Sequence, residues 1–193
     1  MSLKKYDKKV AVIFAFLTLL FLIAAITSRE FLDWLFTRHQ NQLSWYIRPL
    51  FLIPFCFFAF KKSWAGISIT IFCIFTSMFW FPEPQSVNKQ VEQFLAYEID
   101  YLTGDWNVTK IMMTLLVPIS LFLLGMGFWR RNLWIGLSVL IMIAIGKIMW
   151  SILSAGKSGN SIIIPAIIGL LICVVLIYWG FKKLGQRDKT VSK

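Results

Sequence analysis

The sequence predicts an all-α integral membrane protein, a bundle of six transmembrane helices with a small amphipathic cap on the extracytoplasmic side. Three observations predict this fold: the composition, six long apolar runs, and the charges between those runs. Of the 193 residues, 58% are hydrophobic and only 15% are charged, whereas soluble domains have roughly 45–50% apolar and about 25% charged residues. This composition excludes a soluble enzyme, a disordered chain and a disulfide-built secreted module, so residues 1–193 are interpreted as a single membrane domain.

Six apolar runs approach or reach the length of about 20 residues that a helix needs to cross a bilayer. We predict spans at residues 10–27, 43–60, 64–81, 109–129, 133–153 and 161–181. The first run follows a basic flank, as a signal peptide does, but we expect it to be retained as a span. The second is the weakest because Arg48, Pro49 and Pro54 interrupt it. A re-entrant hairpin that does not cross is the alternative for this run.

Positive charge is concentrated in alternate segments between the runs. Thirteen basic residues, against Asp7 and Asp188 alone, lie in four of these segments: Lys4, Lys5, Lys8, Lys9, Lys61, Lys62, Arg130, Arg131, Lys182, Lys183, Arg187, Lys189 and Lys193. An excess of Lys and Arg marks cytoplasmic loops. The pattern therefore predicts cytoplasmic termini in a multi-pass protein of the inner (plasma) membrane. No nucleic-acid partner is expected despite the net charge of +11, because no soluble domain gathers these cations on one surface.

The two longer outer loops, residues 28–42 and 82–108, are expected to fold. Thr27 and Glu30 have the spacing of a capping box, which predicts a short helix after them. In the second loop a helical pattern covers residues 86–102, and one stripe holds its apolar residues Val87, Val91, Phe94, Leu95 and Leu102. These segments form the predicted cap.

Arg48 and Lys147 are the two charged residues that lie well inside apolar runs, whereas Lys110, at the edge of the run 109–129, is counted as a loop cation. A charge within a span is a functional-site hypothesis by default. Both residues are predicted in the outer leaflet beneath an acidic cap, where Glu83 and Glu98 are the obvious partners. We therefore expect Arg48, Lys147, Glu83 and Glu98 to form a site for an anionic solute or lipid headgroup. Two alternatives stay open: Lys147 snorkels to the interface, or the four residues form structural ion pairs between cap and bundle.

Signals for catalysis are weak, and we predict neither a catalytic residue nor a cofactor or metal site. The string Gly156-Lys157-Ser158-Gly159 resembles the G-x-S-G of rhomboid-type intramembrane proteases. Its required histidine has one candidate, His39, which is predicted to be solvated in the first outer loop. The three cysteines, Cys56, Cys73 and Cys173, lie in apolar runs and are interpreted as small buried hydrophobes. The chain is therefore not expected to be an enzyme.

The function expected from these features is that of a membrane subunit with a channel, pore or transport role, working in the lipid bilayer as a homo-oligomer or with a partner protein. The alternative is a structural or sensing membrane protein that acts through a partner, and an intramembrane enzyme ranks third. Two pairs of small residues, Ala11 with Ala15 and Gly169 with Cys173, predict close helix contacts, within the bundle or between copies. In size, six-span topology and the Ala11 pair, the chain is similar to the substrate-binding subunits of energy-coupling-factor vitamin transporters; these features are not specific, and no family is assigned.

Overall fold

The computed structural model describes the backbone of residues 3–191 and the side chains of residues 5–184. Within those limits the chain is all-helical. Its α-helices are α1 (Leu3–Thr27), α2 (Arg29–His39), α3 (Leu43–Leu50), α4 (Leu52–Phe60), α5 (Trp64–Thr76), α6 (Lys89–Thr103), α7 (Val108–Trp129), α8 (Leu133–Ala155) and α9 (Ile163–Val191). Short 3-10 turns cover Ser77–Phe79 and Gly156–Ile162. The side chains of Lys4, Arg187, Asp188, Lys189 and Lys193, which entered the charge pattern, lie outside the described residues.

Four helical stretches in the described chain are long and apolar enough to cross a membrane: Lys5–Thr27, Leu43–Phe60, Val108–Trp129 and Leu133–Leu184. The last contains 52 residues and holds both α8 and α9. The all-α class is confirmed, and these four stretches agree with a membrane protein.

The second predicted span, residues 43–60, is a broken helix. Pro49 and Pro54 each lack the amide hydrogen that a helix needs, and the two helices α3 and α4 meet at Phe51. The amide of Phe51 donates to the carbonyl of Arg48 at 3.2 Å, which is the tighter 3-10 pattern. The helical direction nevertheless continues, since the amide of Phe55 donates to the carbonyl of Phe51 at 3.1 Å.

The third predicted span, residues 64–81, is shorter than expected. The apolar helical stretch here is Trp64–Phe79, which falls below the length of the four stretches above. Pro82 and Pro84 follow it. A residue before proline is disfavoured in the helical region, so the chain leaves the helix before residue 81.

One end of the bundle gathers the segments that carry the predicted cytoplasmic charges; we call it the basic end, comprising residues 5–9, 60–64, 129–133 and 181–184. The Asp7 carboxylate accepts hydrogen bonds from Ser63 Oγ at 2.7 Å and from the amide of Trp64 at 2.9 Å. The rings of Trp64 and Trp129 lie 4.8 Å apart. Asp7 thus caps α5 and ties the start of α1 to it, because an N-terminal carboxylate satisfies otherwise unpaired helix amides.

The turns at the basic end have the same unusual backbone. Lys62 and Arg131 have φ values of 56° and 57°, in the left-handed region that glycine normally occupies at the end of a helix. Each is followed by a residue that caps the next helix: Ser63 accepts from the amide of Gly66, and Asn132 from that of Ile135. The two helical hairpins, α4–α5 and α7–α8, therefore reverse direction in the same way, through a left-handed residue followed by a capping side chain.

The main core lies between α4, α7, α8 and α9. It is filled by buried apolar side chains: Phe55, Cys56, Ala59, Leu124, Phe128, Leu137, Leu140, Cys173 and Ile177. Cys56 and Cys173 are packed here as small hydrophobes, as the sequence predicts. By contrast α1 packs chiefly on α5, and its other faces expose apolar residues such as Val12 and Phe16. A wide exposed apolar surface of this kind suits a lipid environment.

Gly169 and Cys173 serve a contact inside the chain. A Cβ atom on Gly169 would lie 2.8 Å from Cβ of Pro49, and Cys173 Sγ donates to the carbonyl of Pro49 at 3.2 Å. This pair of small residues therefore lets α9 approach α3 at its proline. The other pair does not form a comparable contact in the described chain, since Ala15 is exposed.

We predict that Gly169→Ala lowers the melting temperature of the detergent-purified protein. The added methyl group meets a rigid proline ring, and overpacking of this kind costs about 1–3 kcal/mol. Gly146→Ala is the matched control, because a Cβ there has open space around it and alanine favours the helix. Equal melting temperatures for Gly169→Ala and the wild type would show that α3 and α9 are not closely packed.

Candidate functional site

The end of the bundle opposite the basic end is built by α2, the start of α3, and α6. Helix α2 begins after Ser28, whose hydroxyl accepts from the amide of Phe31 at 3.2 Å. The predicted capping box at Thr27 is therefore wrong by one residue. Thr27 still belongs to α1 and donates to the carbonyl of Ile23, whereas Ser28 has the extended backbone that a cap requires.

Helix α6, Lys89–Thr103, occupies the position of the helix predicted over 86–102. It starts three residues later because Asn88 caps it by accepting from the amide of Gln90 at 2.8 Å. Val91, Phe94 and Leu95 of the predicted stripe are buried. They pack against Leu32, Phe36 and Trp45, which come from α2 and α3. This apolar cluster holds α6 over the ends of the other helices.

Lys147 and Glu98, two of the four predicted site residues, form an ion pair between α8 and α6. Lys147 Nζ lies 3.0 Å from Glu98 Oε1 and 4.7 Å from the centre of the Trp150 ring. The side chains are 42% and 20% exposed, respectively. Since partly exposed pairs contribute about 0–1 kcal/mol, this one positions α6 on α8 more than it stabilises the fold.

Arg48 lies near this pair but not within it. The guanidinium belongs to neither of the ion pairs that the described side chains form, and its Nε is buried without a hydrogen-bond partner. Glu98 acts on Arg48 electrostatically without direct contact. A buried donor without an acceptor costs about 1–3 kcal/mol, and Arg48 Nε has no acceptor among the described residues.

Glu83, the fourth predicted site residue, is exposed on the segment after the Ser77–Phe79 turn. It takes part in neither ion pair of the described chain. The structure therefore brings Arg48, Lys147 and Glu98 into one neighbourhood and leaves Glu83 outside that group.

His39 is the residue that the sequence reasoning placed wrongly. It was expected to be solvated, but it is only 5% exposed, and its Nδ1 lies 2.7 Å from Ser44 Oγ. Because Ser44 Oγ can donate to the carbonyl of Asn41 at 2.8 Å, the ring nitrogen is assigned as donor to Ser44. The signal was present in the helical spacing of Leu32, Leu35, Phe36 and His39, all of which are buried.

The suggested serine–histidine pairing with Ser158 is not formed. Ser158 Oγ donates to the carbonyl of Ala155 at 2.8 Å, which stabilises the turn after α8. The His39 ring is instead hydrogen-bonded to Ser44, and the His39 carbonyl accepts from Trp45 Nε1 at 2.9 Å. Both residues thus have structural hydrogen bonds in different parts of the chain.

Burial lowers the pKa of His39 well below its usual 6.5, and the charges of Arg48 and Lys147 lower it further. The imidazole is therefore neutral at physiological pH. Protonation would place a third cation beside Arg48 and Lys147, so their repulsion adds to the cost of desolvation that keeps the ring neutral.

Lys110 is a second residue whose role the sequence did not reveal. It was counted as a loop cation, but it is 8% exposed at the start of α7. Its Nζ donates to the carbonyls of Gly104 at 2.9 Å and Asp105 at 3.4 Å. The same nitrogen lies 5.0 Å from the Tyr101 ring and 4.7 Å from the Trp106 ring. Lys110 thus joins the end of α6 to the start of α7.

No family model matches the chain, and no curated protein or solved structure that was compared with it matches either. Among the described residues, no three His, Cys, Asp or Glu side chains come together in a way that would hold a metal ion.

We predict that acidification from pH 7.5 to 5.5 destabilises the protein through His39. The folded-state pKa is depressed, so the unfolded chain binds the proton first; the stability is full above about pH 6.5 and falls as the pH drops below it. Over this range the loss is about 1 kcal/mol, measured by thermal unfolding. His39 is the single histidine of the chain, so His39→Asn, which keeps a donor for Ser44, is expected to flatten the dependence. The same slope in the variant would place the titration elsewhere.

Proposed function

We propose that the chain crosses the inner (plasma) membrane six times, with both termini cytoplasmic and α6 on the extracytoplasmic side. Support comes from the contacts at the basic end, where segments far apart in sequence meet. Phe60 packs against Phe181 at 4.9 Å, and the Arg131 guanidinium lies 4.9 Å from the Phe60 ring centre. Helices α8 and α9 also pack against each other across the turn Gly156–Ile162, so the 52-residue stretch serves as two crossings.

A labelling experiment tests this topology. Cysteines are introduced at Lys62 and Lys157, both exposed, and intact cells are treated with a membrane-impermeant maleimide. We expect modification at position 157 and none at position 62 until the cells are permeabilised. Labelling of position 62 from outside would contradict the six-span topology and favour a second segment that does not cross.

We propose further that the protein is a non-enzymatic membrane subunit with a transport role, acting as a homo-oligomer or with a partner protein. Its site comprises Arg48, Lys147 and Glu98, and the ligand is an anionic solute or a lipid headgroup. The observation that supports this most directly is the buried Nε of Arg48, which has no acceptor. A planar guanidinium is well suited to a carboxylate or phosphate, and an anion placed there would supply the missing partner.

The packing of the bundle bears on the mode of transport. The core between α4, α7, α8 and α9 is filled by side chains such as Phe128 and Leu140, which leaves little room for a pore at that position. A transport role is therefore better served by a subunit that holds its ligand near the outer surface than by an open channel through one chain.

A ligand screen with three variants tests the proposed site. We expect soluble anions, including water-soluble analogues of lipid headgroups, to raise the melting temperature of the wild type. Lys147→Met is expected to abolish that shift while the unliganded melting temperature changes little. The small change follows because the Lys147–Glu98 pair is partly exposed. Lys157→Met, which removes an exposed lysine outside the site, is the control and should keep the full shift.

The same screen separates the ligand site from a purely structural pairing. In a structural pairing, Lys147→Met lowers the unliganded melting temperature clearly, and Lys147→Met combined with Glu98→Gln restores it. In simple snorkelling, Lys147→Met changes neither stability nor ligand response. Either of these results would overturn the proposed anion site.

The second candidate function is a structural or sensing membrane protein that acts through a partner. The filled core between α4, α7, α8 and α9 favours it, because a rigid bundle can present its outer helices and its basic end as docking surfaces. Capture of a specific membrane partner by cross-linking in cells, together with no anion response in the screen, would support this function over transport.

A further inference from the structure

A groove lies beside the proposed site, between the start of α7 and the end of α8. It is open to the surface, has a volume of about 320 Å³ and is lined by Tyr101, Asn107, Thr109, Lys110, Trp150 and Ser154, among others. Met113, one turn beyond Thr109 on α7, also lines it. The polar lining is concentrated around residues 107–110, and at about 1.5 Å of rise per residue the apolar Met113 lies about 6 Å further along the helix than Thr109. The groove therefore has a polar end and an apolar end.

The charge at the polar end is positive. Lys110 is nine-tenths buried, and its Nζ is held by two carbonyl oxygens rather than by a carboxylate. Lys110 belongs to neither of the ion pairs of the described side chains. An ammonium group has three donors, so one remains after the carbonyls of Gly104 and Asp105. A buried cation that lacks a countercharge attracts an anion strongly.

The apolar end continues onto surfaces that suit hydrocarbon chains. Met112 and Leu116 on α7 are exposed, as is Met149 on α8. The Trp106 ring lies at the polar end beside Lys110 Nζ, and such rings favour the headgroup level of a bilayer. A ligand in the groove would thus have a charged head beside Lys110 and apolar chains along the faces of α7 and α8.

We propose that this groove is a binding site for an anionic phospholipid, separate from the site at Arg48 and Lys147 and independent of the proposed transport role. The phosphate accepts from Lys110, and the hydroxyl of Thr109 and the amide of Asn107 are available to a hydroxylated headgroup. A choline headgroup is disfavoured because the aromatic rings that would bind its ammonium, Tyr101 and Trp106, already face Lys110 Nζ.

The test uses the full-length protein purified in a neutral detergent. Phosphatidylglycerol, phosphatidylcholine or inorganic phosphate is added, and thermal unfolding and native mass spectrometry report stabilisation and retained lipid. For the wild type we expect a larger rise in melting temperature with phosphatidylglycerol than with phosphatidylcholine, and at least one phosphatidylglycerol molecule retained. An equal shift with both lipids, or the same shift with inorganic phosphate alone, would overturn the proposal.

Variants locate the effect, because the basic end also attracts anionic lipids. Lys110→Met and Ser154→Trp are each expected to lose the retained lipid and the selective part of the shift. Ser154 is exposed, so its replacement by tryptophan fills the groove without disturbing the Lys110 hydrogen bonds; it decides the question alone if Lys110→Met fails to fold. Met142→Trp, on the exposed face of α8 and about 18 Å away along the helix, is the control and keeps the shift.

Lys147→Met separates this proposal from the transport site. We expect that variant to respond to phosphatidylglycerol as the wild type does. A selective shift that survives in Ser154→Trp would show that the lipid binds elsewhere. A shift that disappears in Lys147→Met would show that the lipid binds at the Arg48 and Lys147 site and would overturn the proposal of a separate groove site.

Discussion

The cost of burying a cation governs the end of the bundle opposite the basic end. A lone charge in an apolar environment is destabilising unless it is paired or hydrogen-bonded, and three cations here meet that requirement differently. Lys147, which stays partly exposed, has a carboxylate and an indole ring. Lys110 has two carbonyl oxygens and two aromatic rings. Arg48 has a buried Nε without a hydrogen-bond acceptor. The ligand hypothesis rests on Arg48 because an anion would supply that acceptor.

The same requirement explains how α6 is attached. Its apolar stripe packs on Leu32, Phe36 and Trp45, which supplies most of the stabilisation, since burying one such side chain contributes about 1.5–3 kcal/mol. Polar contacts then set its orientation. Glu98, toward the middle of the helix, contacts Lys147 on α8, and Gly104, just past its end, receives the hydrogen bond of Lys110 on α7. Apolar burial holds the helix, and the two lysines determine which way it points.

Part of this arrangement was predictable from the sequence, because the apolar periodicity and the charges of a single helix are visible in its own residues. The spacing of Val91, Phe94 and Leu95 predicted a buried face, and the structure buries it. The pairing of Lys147 with Glu98 followed from an isolated charge beneath an acidic segment. Other features depended on contacts that no local pattern shows. The partners of Lys110 are backbone carbonyls, and His39 was misjudged since its polar neighbours in sequence masked its place on the stripe of α2.

The break between α3 and α4 in the second predicted span determines where Arg48 lies. Pro49 and Pro54 made residues 43–60 the weakest predicted span, and the structure places the break at Phe51, directly after the turn that holds Arg48. Pro49 contributes no amide donor to the helix, and Cys173 donates to the Pro49 carbonyl, which ties this segment to α9. Gly169, one turn earlier on α9, leaves room for the proline ring. The small residues of α9 therefore fix the segment that carries Arg48, so that its guanidinium is held near Glu98 by the fold and not by an ion pair.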